Sequence, residues 1–279
     1  MISISAIPYL EIAATNSNSQ YAINQAVQST SGFLRTSSVV EAYSEPFPIG
    51  PTFDGCYDIA YYYMDTYTSD TMKASRFCTK YTAMSYWETN PRHAYIVSHG
   101  GVYAGTPSIA FSSGTWLWPI DITINIDEGA MENTDAMFLA ACEGLANYQP
   151  SYPASQSFGK TFCEHGGVNN VIGCPVPIHA AAAILVTAYY YHFRVVYGYS
   201  AYSAINLAKA HTLVFLALAT VAWPVSIPLA LLWLNAGLGI PIPTIVANIL
   251  LLALMGFSIF GMIVAYSTFT IILVDENYY

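Results

Sequence analysis

From Thr212 to Val274 the chain runs for 63 residues without an Asp, Glu, Lys or Arg. All 8 Lys and Arg residues and 15 of the 17 Asp and Glu residues come before it. Within the run, Thr212–Leu234 and Ile245–Val274 each exceed the roughly 20 residues that a helix needs to cross about 30 Å of hydrocarbon. The intervening NAGLGIPIPT carries the Gly and Pro residues that end one helix and begin another. The run therefore predicts an all-α membrane hairpin over residues 212–274, kinked in its first helix at Pro224 and Pro228, with a short tail over 275–279. The alternative is a hairpin fully buried in a large assembly. Charge does not orient it: Lys209 precedes the first span, acids follow the second, and the connecting loop is uncharged.

Composition agrees with an integral membrane chain. Hydrophobic residues make up 54% and charged residues 9%, against about 25% charged in soluble chains, which also excludes disorder. A net charge of −9, without a run of basic residues, excludes a nucleic-acid partner. The 23 Tyr against 8 Lys and Arg suggest a polar domain facing the extracellular side. Met1–Ala14 has no basic n-region and is broken by Pro8 and Glu11, so no cleavable signal is legible there, and the chain has no Asn-x-Ser/Thr sequon.

The first 50 residues are rich in Ser, Asn and Gln and read as an irregular segment carrying one strand over Ser38–Tyr43; the following 51–211 suffice for one α/β domain. Asp58–Trp87, with few breakers, reads as helical. Ala94–Val97 is a short apolar strand ending in Ser-His99-Gly100-Gly101. SIAFSSGTWLWPIDITINI alternates about Ser-Ser-Gly as a β-hairpin does. Ala136–Ala141 is a second buried strand, ending at Cys142-Glu143-Gly144, and Val168–Gly173 a third. Ser155–His165, Ala180–Tyr197 and Ser200–Ala210 read as helices. Alternating strands and helices predict a parallel sheet covered on both faces.

A His at the end of one buried strand and a Cys at the end of the next meet at the carboxyl edge of such a sheet, where open α/β folds build their sites. A thiol needs a base to become a thiolate near neutral pH, and His is suited to that task. The N–H groups of Gly100 and Cys142 can then face one carbonyl oxygen as an oxyanion hole.

AYIVSHGG and AMFLAACEG, in this order and strand context, resemble the caspase-like cysteine peptidases, the group of caspases, legumains, gingipains, separases and CHAT domains. FGKTFCEHGGVNNVIGCPVPI and AYYYHFRVVYGYSAYSAINLAKA look like that family's next helix, strand and closing helices, so the resemblance spans roughly Pro91–Ala210. It implies a three-layer caspase-like α/β/α domain ahead of the membrane hairpin. It also implies Cys142 as nucleophile, His99 as general base and acid, the backbones of Gly100 and Cys142 as oxyanion hole, and no cofactor or metal. Peptide bonds would be hydrolysed through a thioester. Ala140, two before the Cys, offers no acidic or amide group, so no P1 preference is implied.

Other readings stay open. A membrane-anchored, non-catalytic subunit would use the same fold as an interaction module, and the apolar hairpin and Tyr-rich surface suit homo- or hetero-oligomers, besides the bilayer and a peptide or protein substrate as partners. Five cysteines permit two disulfides, leaving Cys142 as a thiol. Cys163 and His165 with Cys174 and His179 carry zinc-ligand chemistry at a spacing that fits no common site. Gly198-Tyr-Ser200-Ala-Tyr202 approximates the nucleophile elbow of lipase-like hydrolases but lacks its second glycine. Tyr189–Tyr191 and the pair Trp116 and Trp118 read as packing or interface aromatics.

Overall fold

The computed structural model describes residues 35–43, 50–216 and 260–278. Alternation of apolar side chains along short β-branched and aromatic runs sends one set of residues to each face of a sheet. Six strands form the large sheet in the order β2-β1-β3-β7-β8-β9, and all but β2 draw on such runs: β1 (Thr36–Glu41), β2 (Thr71–Arg76), β3 (His93–Val97), β7 (Ala136–Ala140), β8 (Asn170–Gly173) and β9 (Ile272–Asp275). The first five are mutually parallel, and β9 closes the edge antiparallel to β8. A second, antiparallel sheet of β4 (Gly100–Tyr103), β5 (Thr106–Ala110) and β6 (Trp116–Leu117) follows directly on β3.

Val40, Ala94, Ile96, Met137, Leu139 and Val171 point to one face of the large sheet. There they meet α2 (Lys80–Trp87), α3 (Pro119–Asn125) and α4 (Phe158–Lys160), which continues as a π turn over Thr161–His165. Val39, Tyr95, Val97, Phe138, Ala140 and Ile172 point to the other face. They pack on α1 (Gly50–Tyr67), on α5 (Ala180–Tyr191, continued as a π turn over His192–Val196) and on α6 (201–216). Caps fix the helix starts: Thr79 accepts the Thr82 N–H ahead of α2, and the Ser200 hydroxyl accepts the Ser203 N–H at the start of α6. The chain is thus a mixed α/β fold with a mostly parallel sheet and helices on both faces.

Several expectations are corrected. The helix expected over Asp58–Trp87 is interrupted by β2, whose half-exposed residues TMKASR give no apolar signal because β2 lies at the sheet edge. The expected hairpin forms between β5 and β6, but Pro119–Asn125 beyond it is helical, with Asp121 accepting the Trp118 N–H at 2.9 Å.

The membrane expectation is corrected as well. No helix among the described residues is long and apolar enough to cross a membrane. Most of Thr212–Leu234 and the first half of Ile245–Val274 lie outside the described residues. What is described belongs to the α/β fold: Thr212 and Leu216 are buried at the end of α6, and Leu216 packs with Ala182 of α5 and Val264 of α7 (260–270). Ile272–Val274, the end of the expected second span, is paired with β8. Hydropathy does not distinguish lipid from a protein core, and the β-branched TIILV at the end of the run is strand chemistry. An integral membrane chain with its polar domain on the extracellular side is therefore not what this fold describes.

Candidate functional site

The last register pair between the neighbouring strands β3 and β7 is Val97 with Ala140. The Ser98 N–H still donates to the Ala140 carbonyl at 3.3 Å, and two residues past the pair each chain reaches His99 and Cys142. Val97 and Ala140 both face α1 and α5. Beyond the strand ends, the His99 ring lies against Phe53 of α1, and the Cys142 thiol reaches the Ile178 carbonyl just ahead of α5. Both half-buried side chains stand at the carboxyl edge of the sheet.

Past His99 the chain turns into β4, which lies against the Cys142 turn. A Cβ at Gly100 would stand 2.1 Å from the Cys142 carbonyl oxygen and 3.1 Å from the Ala141 Cβ, so only glycine allows this approach. The Ala110 N–H donates to the His99 carbonyl at 2.9 Å, making His99 and Ala110 a hydrogen-bonded pair. In an antiparallel ladder such pairs alternate, so Gly100 and Val102, opposite Ile109 and Pro107, direct their N–H groups away from β5. Pro107, which has no N–H to give, fits this register. The Val102 N–H meets the Glu143 carboxylate at 2.9 Å. Glu143 itself has a left-handed backbone, φ 54°, a sparsely populated conformation for such a residue that clusters at functional sites.

Two rings hold the His99 imidazole edge-on: Tyr43 just beyond β1, centroids 5.3 Å apart, and Phe53 of α1, 4.9 Å. Beside Phe53 lies a cluster of charge. Arg76 at the end of β2 pairs with Asp54 at 2.9 Å, with Asp58, and with Glu41 at 3.7 Å, and its guanidinium covers the Tyr57 ring. Glu41 is 1% exposed. Burial first, then the negative charge of Asp54, push its carboxyl up to about 7, although Arg76 pulls the other way.

The far wall is the extended segment after β8. Its carbonyls from Cys174, Val176 and Ile178 face the Cys142 turn, accepting in sequence from the Leu145 N–H (3.0 Å), the Glu143 N–H (3.2 Å) and the Cys142 thiol (3.7 Å). Buried Cys174 approaches the Thr270 hydroxyl at 3.0 Å, and burial is the main cause that raises its thiol. All five cysteines are thiols, so the disulfides that their number permits are not formed. Cys56, Cys78, Cys163 and Cys174 are buried; Cys142 alone is partly open. Burial pushes the Cys56 thiol up to about 12 and the Cys78 thiol up to about 11.

The remaining candidates are engaged elsewhere. His165 contacts the Ile126 carbonyl at 2.8 Å, His179 caps α5 by accepting the Ala181 N–H, and no group of three or more His, Cys, Asp or Glu among the described residues could hold a metal ion. Ser200 is a helix cap rather than the tip of an elbow. Tyr190 and Tyr191 are core residues, while Trp118 meets the Tyr103 ring and Trp116 is 45% exposed. Sequence reasoning missed Tyr43, Phe53 and Ile178 as neighbours of the site; nothing local in the sequence marks them. For Glu143 a signal existed, the acid between Cys142 and Gly144. No protein-family model matches the chain, and no match to it is found among curated proteins.

Proposed function

We propose that the chain is a caspase-like cysteine peptidase that transfers the acyl group of a peptide to Cys142 and then to water. The supporting observation is the placement of His99 and Cys142 two residues beyond one register pair on adjacent parallel strands, with Gly100 backed against Cys142. In this reading His99 takes the thiol proton, the sulfur attacks the carbonyl carbon, and the N–H groups of Gly100 and Cys142 stabilise the oxyanion. His99 then protonates the leaving amine, and water releases the acyl group from the thioester. The register of β4 against β5 directs the Gly100 N–H away from the ladder, which suits that role. The aromatic pair at His99 supports it further, since a base held by packing stays in one orientation.

Alkylation by iodoacetamide tests the reading. Cys142 should be labelled faster than a free thiol of pKa about 8.5, and His99→Ala should slow it. A Cys142 rate equal to that of a free thiol and unaffected by His99→Ala would overturn it. One observation favours a second reading, a non-catalytic caspase-like interaction module: the Cys142 thiol donates to the Ile178 carbonyl, as an inert structural thiol does.

A further inference from the structure

Glu143 carries more than its place in a turn requires. A left-handed backbone is strained for a non-glycine residue, and Gly in its place would remove that strain. The residue nevertheless bears a carboxylate, and that carboxylate reaches across 41 residues of sequence to a backbone donor, the Val102 N–H. Its own N–H is tied to the Val176 carbonyl on the opposite wall. Glu143 thereby connects the strand that follows His99, the turn that carries Cys142 and the segment after β8. Val102 and Gly100 are two apart on β4, so their N–H groups leave the same edge of that strand. The first is held by Glu143; the second is directed to the Cys142 side.

We propose that Glu143 is a positioning residue for acyl transfer: by accepting the Val102 N–H it fixes the β4 edge so that the Gly100 N–H is aimed where the oxyanion forms. The inference rests on the acyl-transfer reading of Cys142. It separates two reactions of one sulfur. Alkylation by iodoacetamide is a displacement at saturated carbon: a C–S bond forms, iodide leaves, and no oxyanion arises. Acylation by p-nitrophenyl acetate does form one. The sulfur bonds to the carbonyl carbon, the carbonyl electron pair moves to oxygen, and its return expels p-nitrophenolate and leaves a thioester, which water hydrolyses to acetate.

The experiment measures both rates on the full chain, wild type and variants, with thermal melting to check folding. Wild type should release a burst of p-nitrophenolate that Cys142→Ser abolishes. Glu143→Gly, which keeps the left-handed turn without strain, should slow the burst about tenfold or more, below the 10²–10³-fold cost of deleting a whole oxyanion donor. Its iodoacetamide rate should stay within about twofold of wild type, because the thiol and its base are untouched. Glu143→Gln, whose amide oxygen can still accept the Val102 N–H, should restore most of the burst. Val102→Pro removes the donor from the other side, at a position outside the ladder bonds, and should reproduce the Glu143→Gly split even if that variant fails to fold. An unchanged burst in Glu143→Gly or Val102→Pro, or a parallel fall in both rates, overturns the positioning role. A wild-type chain without a Cys142-dependent burst overturns the acyl-transfer reading itself, and the positioning role with it.

Discussion

Gly100 and Cys142 touch through their backbones: the Cys142 carbonyl oxygen occupies the direction in which any other residue at position 100 would place its Cβ, at 2.1 Å. A flexible side chain could yield at that distance; a backbone carbonyl at the end of a buried strand cannot. Gly100→Ala should therefore push β4 off the Cys142 turn. Overpacking costs typically about 1–3 kcal/mol, so the melting temperature should fall by roughly 3–10 °C, with slower acylation of Cys142 wherever the fold survives. An unchanged melting curve would show that the two backbones do not meet in this way.

The residues that meet at the site were unequally legible. His99 and Cys142 stand after short apolar strands, and a strand end fixes where its next residues begin, so their place at the carboxyl ends of neighbouring strands followed from pattern alone. Glu143 depended on which N–H groups of β4 leave its ladder, a property set by the pairing of His99 with Ala110 and invisible in hydropathy. β2 was hidden because an edge strand half in water needs no apolar run. β9 was hidden for the opposite reason: Ile272–Val274 ends a long uncharged stretch, and burial against β8 selects the same residue types as burial in lipid.

Glu41 gives the fold a pH dependence with a definite sign. Its carboxyl titrates near 7 in the folded chain and near 4.5 otherwise, chiefly through burial and secondly through Asp54, with Asp58 adding and Arg76 opposing. Between those values the folded state holds the proton and the unfolded state does not. Its contribution is thus fully present below about pH 4.5 and is lost as pH rises through about 7. Glu41→Gln keeps a neutral side chain throughout. The difference in melting temperature, variant minus wild type, should climb between pH 5 and pH 8; a flat difference would refute the assignment.

His93 acts in the opposite direction. It lies buried at the start of β3, and burial first, then the positive charges of Arg194 and Arg92, hold its imidazole well below the usual 6.5. Its Nε2 has no hydrogen-bond partner among the described residues, so protonation gains it none. Below about pH 6.5 the unfolded chain takes up a proton that the folded chain refuses, and stability falls with pH. Each pH unit in that window removes up to about 1.4 kcal/mol for one such group. Urea unfolding of His93→Gln at pH 5 and pH 7 should show a smaller loss between the two than wild type does. Equal losses would mean that another group carries the acid sensitivity.

Lys209 shows how the end of the uncharged run is held to the sheet. Its ammonium leaves α6 and donates to the carbonyls of Phe269, at 3.2 Å, and Ile271, at 2.7 Å, where α7 ends and β9 begins. Those carbonyls have no further helical turn to bond, and a cation at a helix C-terminus also meets the favourable end of its dipole. Burial lowers the pKa of the amine, so the charge is held at some cost, which the two carbonyls offset. Lys209→Met keeps most of the aliphatic stem and removes the donors. It should cost about 1–3 kcal/mol, concentrated at the junction of α7 and β9 rather than spread over the core. Amide hydrogen exchange should therefore quicken at Ile272–Asp275, while β3 and β7 keep their protection. Uniform quickening across all strands, or none at β9, would show that Lys209 does not fasten this segment.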